Sequence, residues 1–215
     1  MDPVEFGTAM VDANAPRGEG EADGAWLGPG ERARASAWVL DALRTAAGEQ
    51  YFGEPVTLLE HALQTAAHAV LDGASDPLVL AALLTDIGHV LHPAWRGASS
   101  SPVLEVRHEV IGARALARHY GRAVTEPIRL HVAAKRYLCA TNLAYARTLS
   151  RGARLGLERR GGPMTPPEIR VFEQTPWARE AVRLRRWDDA AGRPSPPAPR
   201  LERYHDIIER LVGRW

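Results

Sequence analysis

The sequence predicts an all-α fold, and three observations support this prediction. From "ERARASAWVLDALRTAAGEQ" onward, apolar residues recur at spacings of three and four, the repeat of one helix face. No stretch alternates apolar and polar residues over the length of a strand. Clusters of Gly, Pro and Ser, such as "DGASDP" and "GRPSPPAP", separate the apolar stretches as turns separate helices.

The elements can be assigned in order along the chain. Residues 1–30 are rich in Gly, Ala, Pro and acidic groups and have few large apolar side chains, so we expect a disordered N-terminal tail. Residues 31–215 form one predicted helical domain, because 215 residues with 45% hydrophobic content suffice for one substantial core. Its predicted helices cover about 31–47, 56–72, 76–91, 103–119, 124–138, 141–150, 167–173, 176–191 and 200–212.

The charge balance and the cysteine count argue against several classes of protein. The chain has 27 Lys and Arg against 26 Asp and Glu, so no overall basic field favours nucleic acid or an anionic membrane. Cys139 is the only cysteine, which excludes an intramolecular disulfide, and no apolar run reaches the roughly 20 residues of a membrane span. The first residues lack the layout of a signal peptide. We therefore expect a soluble, cytoplasmic protein that binds neither nucleic acid nor membrane.

Five ionisable residues lie on helices whose other residues are largely apolar. His61 lies in "TLLEHALQTAAHAV", Asp86 near the end of "LVLAALLTDIGHVLH", and His108, His131 and Asp188 on later predicted helices. Helical bundles build metal sites in this way, with each ligand held by a separately packed helix. Three histidines and two carboxylates suit iron, manganese or zinc, and the lack of nearby cysteine argues against a thiolate zinc site.

The spacing of these residues leaves simpler interpretations open. A single histidine on an apolar helix face is more often a hydrogen-bonded core residue than a ligand. Asp86 could cap the turn that follows it. Asp188 or Asp189 could pair with Arg185 or Arg186 on the surface of a late helix.

A resemblance to a known family favours the metal site. The order of histidine, aspartate followed by "IGH", two further histidines and a late aspartate resembles the HD-domain superfamily of helical metalloproteins. Within it, the chain is most similar to the HD-domain phosphonate oxygenases of phosphonate-degradation operons, which are relatives of myo-inositol oxygenase. The segments that carry this resemblance are "GEQYFGEPVTLLEHALQTAAHAV", "LVLAALLTDIGHVLH", "HVAAKRYLCATN", "RRGGPMTPPEIRVFE" and "AVRLRRWDD".

The resemblance implies an HD-domain helical bundle that holds a mixed-valent pair of irons. It also implies a reaction in which oxygen is used to cleave the carbon–phosphorus bond of 2-amino-1-hydroxyethylphosphonate to glycine and phosphate. Its metal ligands would be His61, Asp86 and Asp188 at the first iron, and His108 and His131 at the second, with Asp86 bridging.

Further pocket residues follow from the same resemblance. Tyr51 and Glu54 match a loop that closes over the metals and meets the amino group of the substrate. His89 and Arg185 match contacts to the phosphonate. Lys135, one helical turn after His131, would also hold the phosphonate with its ammonium group. Without the resemblance, each of these residues has an ordinary interpretation as a surface, cap or helix-end residue.

Three positions depart from the family pattern. Thr85 stands where a histidine ligand of the first iron is expected, and a neutral hydroxyl is a poor iron ligand. Ala153 replaces a serine that could bind a phosphonate oxygen, and Arg160 replaces a glutamine. The resemblance therefore predicts a weakened first metal site and a second site that keeps its full set of ligands.

Three functions remain open at this point. The first is a phosphonate oxygenase, and the second is a phosphohydrolase, in which a metal-bound water attacks a phosphate ester. The third is a non-catalytic protein that binds a phosphonate or phosphate. In each case the expected partner is a small molecule, and the expected cofactor is iron or another divalent metal.

Overall fold

The chain is described by a computed structural model that covers residues 27–48, 51, 55–92, 107–192 and 198–215. Within these residues the regular structure is helical, as the sequence predicts, and includes no β-strand. The α-helices are α1 (Pro29–Thr45), α2 (Leu58–Leu71), α3 (Asp76–Leu83), α4 (Ile87–Leu91), α5 (His108–Leu116), α6 (Arg122–Thr141), α7 (Leu143–Thr148), α8 (Arg151–Arg159), α9 (Pro166–Gln174), α10 (Ala178–Ala190) and α11 (His205–Leu211). The described residues also include short 3-10 turns at Ala46–Gly48 and Leu201–Tyr204.

The core of the bundle lies around α3, which is buried along its whole apolar length from Leu78 to Leu83. Helices α2, α6 and α10 pack around α3, and α5 packs on α6. Leu80, Ile128 and Leu184 meet in this core with no exposed surface. Burial of each such side chain contributes about 1.5–3 kcal/mol. The packing therefore fixes the relative positions of the helices that carry the candidate ligands.

The helix predicted over 76–91 is in fact two helices, α3 and α4, and Asp86 lies in the turn between them. Thr85 donates a hydrogen bond from Oγ1 to the carbonyl oxygens of Ala81, at 2.9 Å, and Ala82, at 3.1 Å. A threonine hydroxyl bonded in this way competes with the helical ladder. The helix ends here, and Asp86 becomes the residue before α4.

Gly88 allows α4 to lie directly against α5. A Cβ atom at this position would stand 2.0 Å from the carbonyl oxygen of His108 and 2.9 Å from the backbone nitrogen of Gly112. No side chain larger than hydrogen fits between these two backbones. The glycine of the "IGH" motif therefore brings Asp86 and His89 next to His108.

Two differences from the predicted helices concern α7 and α8. The helix predicted over 141–150 is α7, which starts after Asn142, whose side chain accepts from Tyr145 N at 3.0 Å. Helix α8 was not predicted, because Gly152 and Gly156 lower the helix propensity of "RGARLGLER". Tertiary packing and the cap at Ser150, which accepts from Ala153 N at 3.1 Å, stabilise it nonetheless.

Helix α1 starts close to the predicted N-terminal boundary of the domain. Helix α1 begins at Pro29, two residues before the predicted domain boundary at 31, and residues 1–26 of the predicted tail lie outside the described residues. Among the helices that are described, none combines the length and the apolar character needed to cross a membrane.

Candidate metal centre

A cavity of about 640 Å³ opens between α2, α5, α6, α8 and α10. All five residues that the sequence analysis proposes as metal ligands line it, and so do the four proposed pocket residues that the structure describes. Glu54, the remaining pocket residue, lies outside the described residues. The ligand candidates are His61, Asp86, His108, His131 and Asp188, and the pocket residues are Tyr51, His89, Lys135 and Arg185.

The first group of donors consists of His61, Asp86 and Asp188, all buried. His61 Nε2 lies 2.8 Å from Asp188 Oδ1 and 3.8 Å from Asp86 Oδ2. One ligand atom from each residue falls within 4.8 Å of the other two, a spacing that can hold one cation. Helix α2, the α3–α4 turn and α10 each supply one donor.

The second group of donors includes Asp86 again, together with His108 and His131. His108 Nε2 lies 3.4 Å from Asp86 Oδ1 and 3.1 Å from His131 Nε2. His131 Nδ1 lies 2.7 Å from the carbonyl oxygen of Ile128, so Nδ1 carries the proton and donates it. The lone pair of His131 Nε2 therefore faces His108 across the cavity.

His89 belongs to this second group by position, which the sequence analysis did not anticipate. One ligand atom each from Asp86, His89 and His108 fall within 4.8 Å of one another. The His89 ring stacks on the His108 ring at a centroid distance of 4.0 Å, and burial lowers the pKa of His89. Its position three residues after Asp86, across the α4 turn, is the signal that could have identified it.

Tyr51 covers the first group of donors. Its ring stacks on His61 with the centroids 3.8 Å apart, and its hydroxyl hydrogen-bonds to the Asp86 carboxylate. Burial, followed by the negative charge of Asp86, raises the pKa of the Tyr51 phenol well above its usual value. The phenol therefore stays neutral and donates its proton toward Asp86.

Arg185 is held between two carboxylates on its own helix. Its Nη1 lies 2.7 Å from Asp188 Oδ2, its Nε lies 2.9 Å from Asp189 Oδ2, and Asp189 also accepts from the hydroxyl of Tyr145. Burial alone would raise the pKa of Asp188, but Arg185 and then His61 hold it far below its usual range. The pairing left open by the sequence thus exists, but in the cavity wall and not on the surface.

Lys135 is the lysine of the cavity wall. Burial, followed by the nearby charge of Arg185, lowers the pKa of its ammonium group. Ala153 and Arg160 line the cavity from the α8 side. Thr85, in contrast, is 2% exposed and directs its hydroxyl to the backbone of α3.

The donor set fits a bound metal ion. Asp86 contributes to both groups, and no hydrogen-bond donor in the described part of the chain reaches its buried Oδ2 atom. An uncompensated buried carboxylate oxygen is costly, whereas a cation at this point would offset its charge. Histidine nitrogens and carboxylate oxygens without cysteine suit iron, manganese or zinc.

Sequence reasoning missed one buried acidic residue that lies behind His108 and Arg160 of the cavity lining. Glu109 follows His108 on α5, is 3% exposed, and accepts a hydrogen bond at 2.7 Å from Nη1 of Arg160. Its position directly after a candidate ligand was the available signal. Its partner, 51 residues away, was not foreseeable from local pattern.

Comparison with known proteins identifies close relatives. The chain is 44% identical over 184 residues to the hydroxymethylphosphonate dioxygenase of Gimesia maris, a match that covers 86% of this chain and 90% of the relative. It is 37% identical over 167 residues to the [1-hydroxy-2-(trimethylamino)ethyl]phosphonate dioxygenase (glycine-betaine-forming) of Leisingera caerulea, covering 77% and 84%. An uncharacterised protein of Acanthamoeba polyphaga mimivirus is 30% identical over 162 residues. No family model matches the chain.

These identities extend over most of the chain and most of each named relative, and both named relatives act on a phosphonate. The chain therefore belongs to the phosphonate dioxygenase family.

Proposed function

We propose that this protein is an iron-dependent oxygenase that cleaves the carbon–phosphorus bond of a 1-hydroxyalkylphosphonate. The substrates in the names of both relatives carry a hydroxyl on the carbon that bears phosphorus. The expected substrate is 2-amino-1-hydroxyethylphosphonate, with glycine and phosphate as products. Hydroxymethylphosphonate and the trimethylammonium analogue are the comparison substrates.

The observation that carries the proposal is the position of Asp86 between two groups of donors. Its Oδ2 lies 3.8 Å from His61 Nε2, and its Oδ1 lies 3.4 Å from His108 Nε2. A carboxylate with one oxygen near each group can bridge two cations. We assign His61, Asp86 and Asp188 to the first iron and Asp86, His108 and His131 to the second.

The metals and the side chains would have different roles in the reaction. When bound, iron supplies oxygen activation and Lewis-acid binding of the hydroxyl and phosphonate oxygens. Lys135 offsets the charge of the phosphonate as a compact ammonium group. Arg185 holds Asp188 in place and contributes positive charge to the same wall.

Two ring systems shape the site around the reacting carbon. Tyr51 stacks on His61 and keeps water from that side of the first group, while its hydroxyl steadies Asp86. His89 stacks on His108, and because burial lowers its pKa, it presents a neutral imidazole to the substrate. The proposed role of Glu54, contact with the substrate's amino group, completes the assignment.

Thr85 makes the two metal sites unequal in this proposal. Its hydroxyl bonds to the carbonyl oxygens of Ala81 and Ala82, so the first iron would have His61, Asp86 and Asp188 as its protein ligands. The second iron keeps two histidines and one carboxylate, a set that non-haem iron uses with open positions. We therefore expect the second site to bind iron more tightly.

The test is phosphate release from the three phosphonates by the iron-loaded protein, in air and under argon. Oxygen-dependent release, with glycine formed from 2-amino-1-hydroxyethylphosphonate, is the expected result, and Asp86→Asn should abolish it. Hydrolysis of a phosphate ester such as p-nitrophenyl phosphate, with no release from the phosphonates, would instead identify a phosphohydrolase. Binding of a phosphonate with neither phosphate release nor ester hydrolysis would identify a non-catalytic binder.

A further inference from the structure

We propose that Glu109 is a positioning residue that fixes the imidazole of His108 with its Nε2 lone pair toward the cavity. The proposal rests on the proposed function, because it gives this lone pair a metal to bind. Glu109 touches no substrate in this assignment and acts through His108. Arg160 supplies the charge that allows the carboxylate to be buried.

The burial of Glu109 is the first step of the argument. A carboxylate that is 3% exposed is costly unless it is paired and hydrogen-bonded. Its Oε1 accepts from Arg160 Nη1 at 2.7 Å and lies 3.6 Å from Nε of Arg107, whose side chain is largely exposed. Both nearby guanidinium groups therefore approach Oε1, and Oε2 remains available to interact with another group.

The second oxygen faces His108. In the described part of the chain, Glu109 Oε2 is buried and no donor is within hydrogen-bond range, yet it lies 3.7 Å from His108 Nδ1. This is the ring nitrogen opposite to Nε2, which faces Asp86 and His131. A small rotation of either side chain brings Oε2 and the Nδ1 proton to hydrogen-bond distance.

His131 shows the same arrangement with a backbone acceptor. Its Nδ1 lies 2.7 Å from the carbonyl oxygen of Ile128, which leaves Nε2 without a proton. Metal-binding histidines are commonly oriented by a carboxylate or carbonyl on the second ring nitrogen, and this partner also makes the ligand more basic. Glu109 stands on the corresponding side of His108, so the two Nε2 atoms converge on one point.

The decisive variants remove the acceptor without leaving a buried charge unpaired. Glu109→Met with Arg160→Met removes both charges and the acceptor while keeping apolar bulk, a change that buried ion pairs often tolerate. Glu109→Gln with Arg160→Gln removes both charges but keeps an acceptor oxygen at residue 109. A matched control is Glu168→Met with Arg136→Met, which removes a 2.8 Å ion pair between α6 and α9 that does not contact His108.

Two measurements follow the binding of the metal and the tautomer of His108 separately. Co²⁺ titrated into metal-free protein, followed by visible absorption and calorimetry, should bind about 10- to 100-fold more weakly to the Met pair. The Gln pair should recover most of this loss, and the control pair should match native protein. Nitrogen chemical shifts of His108 in Zn²⁺-loaded native protein should show Nε2 bound to the metal and the proton on Nδ1, and the Zn²⁺-loaded Met pair should show a mixture of ring orientations.

The outcomes separate this inference from the proposed function. Equal Co²⁺ affinity in the Met pair and native protein, or equal weakening in the Met and Gln pairs, would show that Glu109 only pairs with Arg160. Native protein that binds no Co²⁺ would instead overturn the metal site. A Zn²⁺-loaded Met pair in which His108 keeps the native pattern of nitrogen shifts would show that Glu109 does not orient the ring.

Discussion

His108 and His131 meet across the cavity with their Nε2 atoms 3.1 Å apart. Because the Nδ1 proton of His131 is donated to Ile128, its Nε2 offers a lone pair toward His108. Burial, followed by the neighbouring rings of His89 and His131, lowers the pKa of His108 well below its usual value. Two imidazole nitrogens at this distance are stable together when a proton or a metal ion lies between them. This pair therefore supports the assignment of a metal site, together with the position of Asp86 between the two groups of donors.

Iron content should change when a histidine is restored at residue 85. Thr85→His places an imidazole beside Asp86, where the family pattern has a ligand, so iron should rise from uneven occupancy toward two per chain. Oxygen-dependent phosphate release should rise with it. The measurement is iron per chain after anaerobic loading and desalting.

Thr85→Val is the control for this substitution. It keeps the shape of the buried side chain but removes the hydroxyl that bonds to Ala81 and Ala82, so iron content should stay at the native value. Native protein that already retains two tightly bound irons would contradict a weakened first site.

Phosphonate binding should depend on pH through Lys135. Burial and Arg185 lower the pKa of its ammonium group, so the positive charge is present below this lowered pKa and is lost as pH rises through it. Affinity for a phosphonate should therefore fall at a pH below 10.5, the usual pKa of lysine. Calorimetric titration of methylphosphonate from neutral to alkaline pH measures this fall.

The variants Lys135→Arg and Lys135→Ala test whether the charge of residue 135 causes this pH dependence. Arginine keeps its charge over the whole range, so the alkaline loss should shrink, whereas alanine should weaken binding at every pH. Metal content should stay near the native value in both variants. Loss of metal with unchanged phosphonate affinity would show that Lys135 acts on the metal site instead.

Gly88→Ala should destabilise the fold and separate α4 from α5. The added Cβ would stand 2.0 Å from the carbonyl oxygen of His108, and two packed helix backbones have little freedom to move apart. We expect a loss of about 3 kcal/mol in the free energy of unfolding, measured by urea denaturation.

Gly156→Ala on α8 is the matched substitution, because nothing lies within 4 Å of its Cβ position. Its stability should be unchanged or higher by about 0.5–1 kcal/mol, since alanine favours a helix. Equal stability of the two variants would show that the close approach at Gly88 is not required.

The stabilisation that the Glu168 carboxylate gives to the fold should be lost as pH falls from 4.5 to about 2. The Thr165 backbone N–H, followed by the Arg136 guanidinium, lowers the pKa of this carboxyl from 4.5 to about 2. A lowered folded-state pKa means that its stabilisation is present above pH 4.5 and is lost as pH falls through about 2.

The corresponding variant is Glu168→Gln, compared with native protein by thermal unfolding at several pH values. The native protein should have the higher Tm at pH 6, and the difference should disappear near pH 2. A Tm difference that is the same at pH 6 and pH 2 would assign the effect to the shape of the cap and not to its charge.

The sequence by itself determined the all-α class and the donor types of the site. Apolar residues at three- and four-residue spacing are a local consequence of helix geometry, so α1, α2, α6 and α10 could be predicted to within a few residues. The sequence also contains the order of the candidate ligands, and this order predicts the family without knowledge of any contact. The ligands are His61, Asp86, His108, His131 and Asp188.

Tertiary structure decided which of these groups meet and in what state. Asp188 lies 127 residues from His61, and Arg160 lies 51 residues from Glu109, yet both pairs are in contact. The break at Thr85 depends on which carbonyl oxygens its hydroxyl reaches, and the burial of Arg185 depends on the helices packed around it. These features result from the direction of each side chain in the folded core. The local periodicity of the sequence does not determine that direction.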